Sequence, residues 1–293
     1  MLITNLIGGL GNQMFQYAAA RAISLDNFST LKIDIADFSH YGLHQGFELQ
    51  RIFDSSIEIA NAADLRMILG WQSSRSARRI LCKPNMRWLR SKKFIVEPHL
   101  SYWNGLRNLH DDAYLVGYWQ SQNYFMTHSA QIREDFKFKL PMSKENYSLS
   151  KQMNDDNSVS LHVRRGDYVN NSKTTLIHGL CSIDYYQSAI KYIADRLNKP
   201  IFYVFSDDIE WVKKNLNIKF PHAFLSHNTG RESFNDMRLM ATCKHNIIAN
   251  SSFSWWGAWL NPNEKKIVVA PEKWFANPLW VNNDIIPPEW HCI

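Results

Sequence analysis

The chain has 293 residues, of which 45% are apolar and 13% are aromatic, and its net charge is +6. This apolar content excludes a disordered chain, and the length suits two domains of ordinary size or one large domain. The sequence contains no run of about 18 apolar residues, which excludes a membrane-spanning helix.

The N-terminus and the cysteines indicate a reducing compartment. The opening apolar run has no basic start and is too short for a signal peptide. Cys82, Cys181, Cys243 and Cys292 are scattered and form no C-x-x-C or Cys/His cluster, so structural zinc is not expected. Free thiols in a reducing cytoplasm are the simplest interpretation.

The first half of the chain opens with a strand, a glycine-rich turn and a helix. Residues 2–7 and 31–35 are predicted strands, and residues 12–25 are a predicted helix whose apolar side chains lie near one face. The turn does not match the dinucleotide pattern G-x-G-x-x-G. Residues 55–110 show no clear period, and residues 113–120 resemble a strand.

A basic segment occupies residues 66–93. It contains nine Lys and Arg residues and no Asp or Glu, and without it the rest of the chain would carry a net charge of −3. Trp71 and Trp88 are interleaved with aliphatic residues there. The segment either lies against anionic lipid headgroups or forms a solvated basic surface or a helix pair. No nucleic-acid motif accompanies the charge, so no nucleic-acid partner is expected.

Strands and helices alternate from residue 158 onward. The predicted strands are residues 159–163, 201–205, 223–225, 246–249 and 266–270, and the predicted helices are residues 183–198, 209–216 and 232–243. This order predicts right-handed βαβ crossovers and a parallel sheet covered on both faces. Residues 141–157 are polar without a hydrophobic period, which makes them the best candidate for a domain boundary.

Two adjacent arginines follow the first of these strands, in the run from His162 through Arg164 and Arg165 to Asp167. Ligands of parallel α/β sheets bind beyond the carboxyl ends of the strands, and guanidinium groups match phosphate oxygens in a bidentate way. We expect Arg164 to bind a phosphate and Arg165 to be a secondary ligand. We favour an interpretation in which one arginine contacts the ligand and the other is a structural ion-pair partner, for example of Asp167.

The run Asn250, Ser251, Ser252 and Phe253 follows a later strand and opens a helix. Hydroxyl groups and backbone N–H groups at a helix start form an anion site. Alternatively, Ser251 or Ser252 is only an N-cap, and the two roles can coexist. The three tryptophans after this run are interpreted as helix-packing residues.

Two other strand ends carry candidate ligands. Asp207 or Asp208 could accept hydrogen bonds from the N1–H and N2–H₂ edge of guanine, or could cap the helix that follows. Gly9 and Gly11 allow the backbone to approach a ligand closely. Asn12, at the predicted start of the first helix, either faces that ligand or is an N-cap.

The chain contains no Asp-x-Asp, the spacing that many nucleotide-sugar transferases use to hold a divalent metal. Together with the paired arginines, this predicts that fixed cationic and N–H groups replace the metal. We therefore expect no metal and no cofactor.

Three motifs resemble the α-1,2-fucosyltransferase family, which includes bacterial enzymes of O-antigen and capsule synthesis and the animal blood-group H enzymes. They occupy residues 9–18, 162–168 and 250–260, in the family's order. The H-x-R-R motif is also similar to that of α-1,6- and protein O-fucosyltransferases. The resemblance implies an α/β, GT-B-like fold of two Rossmann-like domains facing each other across a cleft.

On this resemblance, the chain has three parts. Residues 1–150 are the acceptor-side domain, residues 151–275 are the donor domain, and residues 276–293 are a tail that packs back on the first domain. The implied reaction moves fucose from GDP-β-L-fucose to O2 of a terminal galactose, with inversion and without metal. The basic segment suggests that the acceptor is lipid-linked.

The resemblance also assigns the site residues. The family's donor-phosphate arginine corresponds to Arg164, and its serine-rich helix start corresponds to Ser251, Ser252 and Phe253. An asparagine beside the sugar in protein O-fucosyltransferases corresponds to Asn12. The predicted catalytic residues are therefore Arg164 and Asn12. The predicted donor-binding residues are Gly9, Gly11, His162, Arg165, Asp167, Asp207, Asp208, Asn250, Ser251, Ser252 and Phe253.

The animal members carry an N-terminal membrane anchor that this chain lacks, which favours a bacterial cytoplasmic enzyme. If the basic segment binds lipid, the enzyme would be peripheral on the inner membrane.

The candidates for a general base are Asp167, His162 and Glu48, and each also has a structural interpretation. Two alternatives stay open: a non-catalytic module that binds a sugar nucleotide or glycan, and a transferase with another GDP-sugar donor.

Overall fold

The computed structural model describes residues 1–40, 45–109, 112–166 and 179–293. The chain divides into two compact units. Unit 1 is Met1–Lys139 with Asn282–Ile285, and unit 2 is Leu140–Val281 with Ile286–Ile293. The chain therefore passes between the units three times.

Unit 1 contains a five-stranded sheet in the order β3-β2-β1-β5-β4, and its registered strand pairs are all parallel. The strands are β1 (Leu2–Asn5), β2 (Leu31–Asp34), β3 (Glu58–Ile59), β4 (Phe94–Val96) and β5 (Ala113–Val116). The α-helices are α1 (Leu10–Asp26), α2 (Leu49–Ile52), α3 (Ala62–Leu69), α4 (Arg75–Leu81) and α5 (Ser129–Asp135). Short 3₁₀ helices cover Ala36–His40, Gly70–Ser73, Pro84–Leu89, Asn104–Leu106, Gln122–Tyr124 and Met126–His128.

Helix α1 is buried on nearly all sides, although a single apolar face was predicted. Gln13 and Gln16 are fully buried because they bond to the chain around the helix start. The Gln13 side chain donates to the carbonyls of Gly8 and Gly46, and Gln16 accepts from the N–H of Ile7. These bonds satisfy polar groups that would otherwise make burial unfavourable.

Unit 2 contains a six-stranded sheet in the order β11-β10-β9-β6-β7-β8, again with parallel registered pairs. The strands are β6 (Ser158–Val163), β7 (Ile201–Ser206), β8 (His222–Leu225), β9 (His245–Ile247), β10 (Val268–Ala270) and β11 (His291–Cys292). The α-helices are α6 (Lys144–Asp155), α7 (Ile183–Ala194), α8 (Ile209–Asn215), α9 (Phe234–Thr242) and α10 (Ser252–Leu260). One 3₁₀ helix covers Gly230–Glu232.

Strand β7 shows how both faces of this sheet are covered. Phe202 and Val204 pack into one apolar cluster with α7 and α8, whereas Tyr203 and Phe205 pack into another with α6 and α9. This arrangement confirms the predicted parallel sheet with helices on both faces.

Helix α6 lies where a polar boundary segment was predicted. Ser143 caps it by accepting from the N–H of Asn146, and its buried positions are Asn146, Ser150 and Met153. Because two of these three side chains are polar, the apolar residues of this segment do not show the spacing of a helix. The first stretch of unit 1 ends at Lys139, and the predicted division after residue 150 falls inside this helix.

The last residues of the chain contribute to both units. In unit 2, β11 pairs with β10, and Trp290 packs against Trp255 with ring centroids 5.3 Å apart. In unit 1, Asp284 accepts from the N–H of Tyr102 at 2.8 Å. Trp255, Trp256 and Trp259 are buried, as their interpretation as packing residues predicted. Within the described ranges, no helix is long and apolar enough to cross a membrane.

Candidate functional site

The carboxyl ends of β6, β7 and β9 bring the predicted site residues of unit 2 together. In the sheet register His162 pairs with Phe205, and Leu161 pairs with Ile247. The segments that leave these strands therefore start side by side. The rings of His162 and Phe253 lie 6.0 Å apart, which links the arginine motif to the serine-rich turn.

Asp207 organises the arginine motif. Its Oδ2 lies 2.7 Å from Nη1 of Arg164, and its Oδ1 accepts from the backbone N–H of Arg165 at 2.8 Å. A Cβ added to Gly166 would lie 2.6 Å from Oδ2 of Asp207, so a side chain at this position would displace the carboxylate. The Asp207 carboxylate therefore holds both the guanidinium of Arg164 and the backbone at Arg165 in place.

Arg165 has a structural position. Its guanidinium carbon lies 3.5 Å from the ring centroid of Trp211, and its Nε lies 3.6 Å from Oδ2 of Asp208. This geometry matches the favoured interpretation, in which one of the two arginines is a structural ion-pair partner. The partner is Asp208; Asp167, the partner suggested from sequence, lies outside the described residues.

Asp208 also caps α8, because its side chain accepts from the N–H of Trp211 at 3.2 Å. The capping alternative for this pair of carboxylates is thus confirmed for Asp208. Both Asp207 and Asp208 have partners within the unit. Their role as readers of guanine stays a prediction.

His162 is buried, and burial lowers its pKa to about 4, although the nearby carboxylate of Asp207 acts in the opposite direction. The positive charge of Arg164 lowers the pKa further. The ring is therefore neutral at pH 7 and a weak base. Its Nδ1 has no hydrogen-bond partner among the described residues. These properties fit a packing or orienting role better than proton abstraction.

The serine-rich turn is held by hydrogen bonds to the helix that follows it and to two residues elsewhere in unit 2. The Ser251 side chain caps α10 by accepting from the N–H of Phe253 at 3.3 Å. Asn250 donates through Nδ2 to the carbonyl of Trp274 at 3.2 Å, and its Oδ1 lies 3.4 Å from Sγ of Cys181. Ser252 is the first residue of the helix and is partly exposed. A fixed helix N-terminus that follows the strand next to the one ending in the arginine motif is a suitable site for an anion.

In unit 1, the glycine-rich turn lies at the carboxyl end of β1. Helix α1 begins at Leu10 with Gly9 as its N-cap and with Gly11 buried in its first turn. Asn12 is therefore inside the helix, so the N-cap interpretation of Asn12 is wrong. Its Oδ1 accepts from Nε2 of Gln120 at 2.9 Å, which joins the turn to the segment after β5.

Glu48, a candidate base, has a structural environment. Its carboxylate lies 3.0 Å from Nη2 of Arg51, and its backbone N–H donates to the buried side chain of Gln13. Across the described ranges, no group of three or more His, Cys, Asp or Glu side chains could hold a metal ion. Independence from metal remains a prediction.

One carboxylate that the sequence analysis missed is Glu97, which follows β4 in unit 1. It accepts from the N–H groups of Tyr118 and Trp119 at 2.7 and 2.9 Å. Burial raises its pKa to about 7, against the effect of these bonds. Trp119 has a positive φ of 54°, a strained conformation that these bonds help to hold. Glu97 lies in the region without a clear period, so its position could not be predicted.

A second missed carboxylate is Asp236, at the start of α9. Burial raises its pKa to about 7, while a hydrogen bond from Asn228 opposes the shift. Asn228 and His227 both contact Asn146, and His227 lines a depression of about 460 Å³ at the end of β8. Another cavity, of about 210 Å³, lies near the amino end of β2, away from the glycine-rich turn.

The two units, each with a parallel sheet, define the class of the protein. The solved structure of the fucosyltransferase NodZ from Bradyrhizobium has a TM-score of 0.52 with this chain at 14% sequence identity. The match covers 87% of this chain and 91% of the NodZ chain. At this identity the likeness shows the fold alone. It confirms the predicted GT-B-like fold, α/β with two Rossmann-like domains.

The chain belongs to glycosyl transferase family 11, whose family model matches residues 73–293. It is 38% identical to an alpha-1,2-colitosyltransferase of Escherichia coli, over 99% of this chain and 98% of the relative. It is 35% identical to the O-antigen biosynthesis glycosyltransferase WbnK of Escherichia coli, over 92% and 94%. The galactoside 2-alpha-L-fucosyltransferase SEC1 of Bos taurus is 25% identical, over 87% and 63%.

Proposed function

We propose that the protein transfers L-fucose from GDP-β-L-fucose to O2 of a galactose residue in a glycan, with inversion and without metal, in O-antigen or capsule synthesis. The observation that carries this proposal is the meeting of the Arg164 motif with the Ser251 helix start at adjacent strand ends. Membership of family 11 supports it, as do two relatives named alpha-1,2-colitosyltransferase and galactoside 2-alpha-L-fucosyltransferase.

In the proposed reaction, the acceptor hydroxyl oxygen attacks C1 of fucose while the bond from C1 to the β-phosphate oxygen breaks. GDP leaves with the bonding electron pair, and the hydroxyl proton is released. Arg164 and the N–H groups near Ser251 and Phe253 stabilise the negative charge that grows on the phosphate. One preorganised donor of this kind typically lowers the barrier by about 3 kcal/mol.

Asp207 is proposed to hold the Arg164 guanidinium in place rather than to neutralise it. A guanidinium has five N–H donors in a fixed plane, so one group can bind a carboxylate and a phosphate together. Asn12 is proposed to lie beside the sugar, with its side-chain orientation fixed by Gln120. In this role Asn12 would orient the transferred residue rather than exchange a proton.

Colitose is the second candidate for the transferred sugar, because a colitosyltransferase is 38% identical to this chain over nearly its full length. Colitose is L-fucose without the 3-hydroxyl group. The phosphate-binding groups would serve both donors equally. A site that bonds the 3-hydroxyl would reject the donor that lacks it, because a buried polar group would lose its partner.

The test incubates the protein with GDP-fucose, GDP-colitose or GDP-mannose and a set of β-galactosides, with EDTA present. We expect acceptor-dependent release of GDP from GDP-fucose, and an α-1,2 linkage in the product by NMR. Release from GDP-colitose alone would assign the second candidate. Release from GDP-mannose alone, or loss of activity in EDTA, would contradict the proposal. Tight GDP binding without transfer to any acceptor would indicate a non-catalytic module.

A further inference from the structure

The basic segment of unit 1 has one buried side and one exposed side. Helices α3 and α4 pack on the sheet through Leu65, Ile68, Leu69 and Leu81, which belong to one apolar cluster with Phe94. The opposite side of the same elements carries charged and apolar side chains that contribute nothing to this core. Neither the fold nor the candidate site explains that side.

The nine basic residues of the segment fall into two groups. Four are held within unit 1: Arg75, Arg78 and Lys93 by ion pairs with Asp37, Asp34 and Asp112, and Arg90 by carbonyl oxygens at the end of α4. The other five are exposed and have no ion pair among the described residues: Arg66, Arg79, Lys83, Arg87 and Lys92. Five positive charges therefore face solvent in a segment without any acidic residue.

Large apolar side chains are exposed between these charges. Trp71 is 70% exposed, Trp88 is 79% exposed, Met67 is 70% exposed and Ile80 is 50% exposed. The side chain of Gln72 ties the two tryptophan turns together, because it donates to the carbonyl of Leu89 at 2.8 Å and accepts from the N–H of Ser91 at 3.1 Å. The two tryptophans are therefore on neighbouring, fixed turns.

We propose that this basic–aromatic surface, made of Met67, Trp71, Ile80, Trp88 and the five exposed cations, binds the surface of an anionic lipid bilayer. Lys and Arg are attracted to anionic headgroups, while Trp and aliphatic side chains favour the boundary between headgroups and acyl chains. A nucleic acid would also attract the cations, but Met67 and Ile80 would gain nothing from a phosphate backbone. The surface therefore offers cations for the anionic headgroups and apolar side chains for the acyl chains of a bilayer.

The first experiment measures co-sedimentation of the full chain with vesicles, without donor or acceptor. Vesicles of phosphatidylcholine alone are compared with vesicles that contain about 30% phosphatidylglycerol, in about 0.1 M and about 0.5 M salt. We expect binding to the anionic vesicles only, and binding at least about tenfold weaker at the higher salt. Because no sugar nucleotide is present, the result does not depend on the proposed transferase activity.

Charge variants locate the interaction. The triple variant Arg79→Gln, Lys83→Gln and Arg87→Gln removes three cations from the surface. We expect vesicle binding to fall roughly 100-fold, because each basic residue near an anionic surface contributes about fivefold. The matched control is the triple variant Lys214→Gln, Lys219→Gln and Lys265→Gln, which removes three exposed lysines from unit 2 and should leave binding within about twofold.

Aromatic variants test the apolar contribution. The double variant Trp71→Ala and Trp88→Ala should weaken binding at least about tenfold and reduce fluorescence quenching by brominated lipids. Phe28→Ala is the control, because Phe28 is 98% exposed on unit 1 but lies outside the segment. Circular dichroism of each variant checks that the fold is retained.

Three results would overturn the proposal. The first is no binding to anionic vesicles. The second is an equal loss of binding in the surface triple variant and in the control triple variant of unit 2, which would indicate an effect of net charge alone. The third is unchanged binding and quenching in the tryptophan double variant. If single-stranded RNA bound through the same three cations while vesicles did not bind, the surface would be assigned to nucleic acid instead.

Discussion

At the residue scale, Asp207 distinguishes the two adjacent arginines. It lies 2.7 Å from the guanidinium of Arg164 but contacts only the backbone N–H of Arg165. The Arg165 side chain instead stacks on Trp211. Mutation of Arg164 should therefore mainly reduce catalysis, whereas mutation of Arg165 should mainly reduce stability.

Arg164→Ala is expected to lower kcat/KM by roughly 100-fold or more, because a preorganised donor to the leaving phosphate is lost. The cost in stability should be on the order of 1 kcal/mol, since both partners of the Arg164–Asp207 pair are one-quarter exposed. Arg165→Ala should show the larger loss of stability and the smaller loss of activity. Steady-state kinetics and urea unfolding measure both, and near-normal turnover of Arg164→Ala would refute its assigned role.

Asp236 should make stability depend on pH. Its folded pKa of about 7 lies above its ordinary value of 3.8, so folding favours the protonated form. The stabilisation that the protonated Asp236 side chain gives to the folded state is therefore complete below about pH 4. The free energy of unfolding then falls by roughly 1 kcal/mol per pH unit as the pH rises to about 7. Asp236→Asn should flatten the fall in unfolding free energy between pH 5 and pH 7, as measured by urea titration.

The surface variant Glu264→Gln is the control for that experiment and should leave the slope unchanged. Glu97, which also has a folded pKa of about 7, acts in the same direction, so a residual slope is expected in Asp236→Asn. An undiminished slope in Asp236→Asn would show that its carboxyl group does not titrate in this way.

Residue types at strand ends could be predicted, but their partners could not. Arg164 and Ser251 were predicted from motifs that follow apolar strands, and the structure places these motifs at adjacent strand ends. Asp236 and Glu97 have raised pKa values because surrounding elements bury them. Burial of this kind depends on tertiary packing, and a single position in the sequence carries no sign of it.

At the element scale, the glycine-rich turn depends on close contact. Gly8 has φ +82°, and a Cβ at this position would lie 2.7 Å from Nδ2 of Asn12. Gly46 has φ +73°, but nothing lies within 4 Å of its would-be Cβ. The two glycines share a left-handed backbone and differ in the space around them.

Gly8→Ala should therefore cost more than Gly46→Ala. Both variants incur left-handed strain of about 1 kcal/mol, and Gly8→Ala must also displace Asn12, for a total of roughly 2–3 kcal/mol. Thermal unfolding measures the difference. Equal losses in the two variants would show that the contact with Asn12 relaxes freely.

Elements with apolar periods could be predicted, and elements with polar buried faces could not. The predicted strands at 159–163 and 201–205 correspond to β6 and β7 within one residue at each end. Helix α6 was missed because Asn146 and Ser150 occupy its buried face. Asn146 is buried there because Asn228 and His227 satisfy its amide, a long-range arrangement without a local signal.

At the scale of the whole molecule, the segment after Val281 contributes residues to each of the two units. Removing residues 282–293 would take β11 and Trp290 from unit 2 and the bonds of Asn282 and Asp284 from unit 1. Loss of the buried Trp290 side chain alone should cost unit 2 about 3–5 kcal/mol.

Limited proteolysis of this truncated chain is expected to release peptides from both units faster than from the full chain. Leu279→Ala is the control, because Leu279 is exposed and its truncation should leave the rates unchanged. Faster cleavage confined to unit 2 would show that unit 1 does not depend on the segment.

The registered strand pairs join residues that are far apart in the sequence. Leu2 is paired with Ala113 in unit 1, and Val159 is paired with His245 in unit 2. Parallel pairing requires such long crossovers, so much chain entropy is lost before the contacts form. Folding should therefore take milliseconds to seconds or longer, and unpaired strand edges will be exposed to aggregation meanwhile. Slow synthesis at low temperature, or an added chaperone, should raise the yield of recombinant protein.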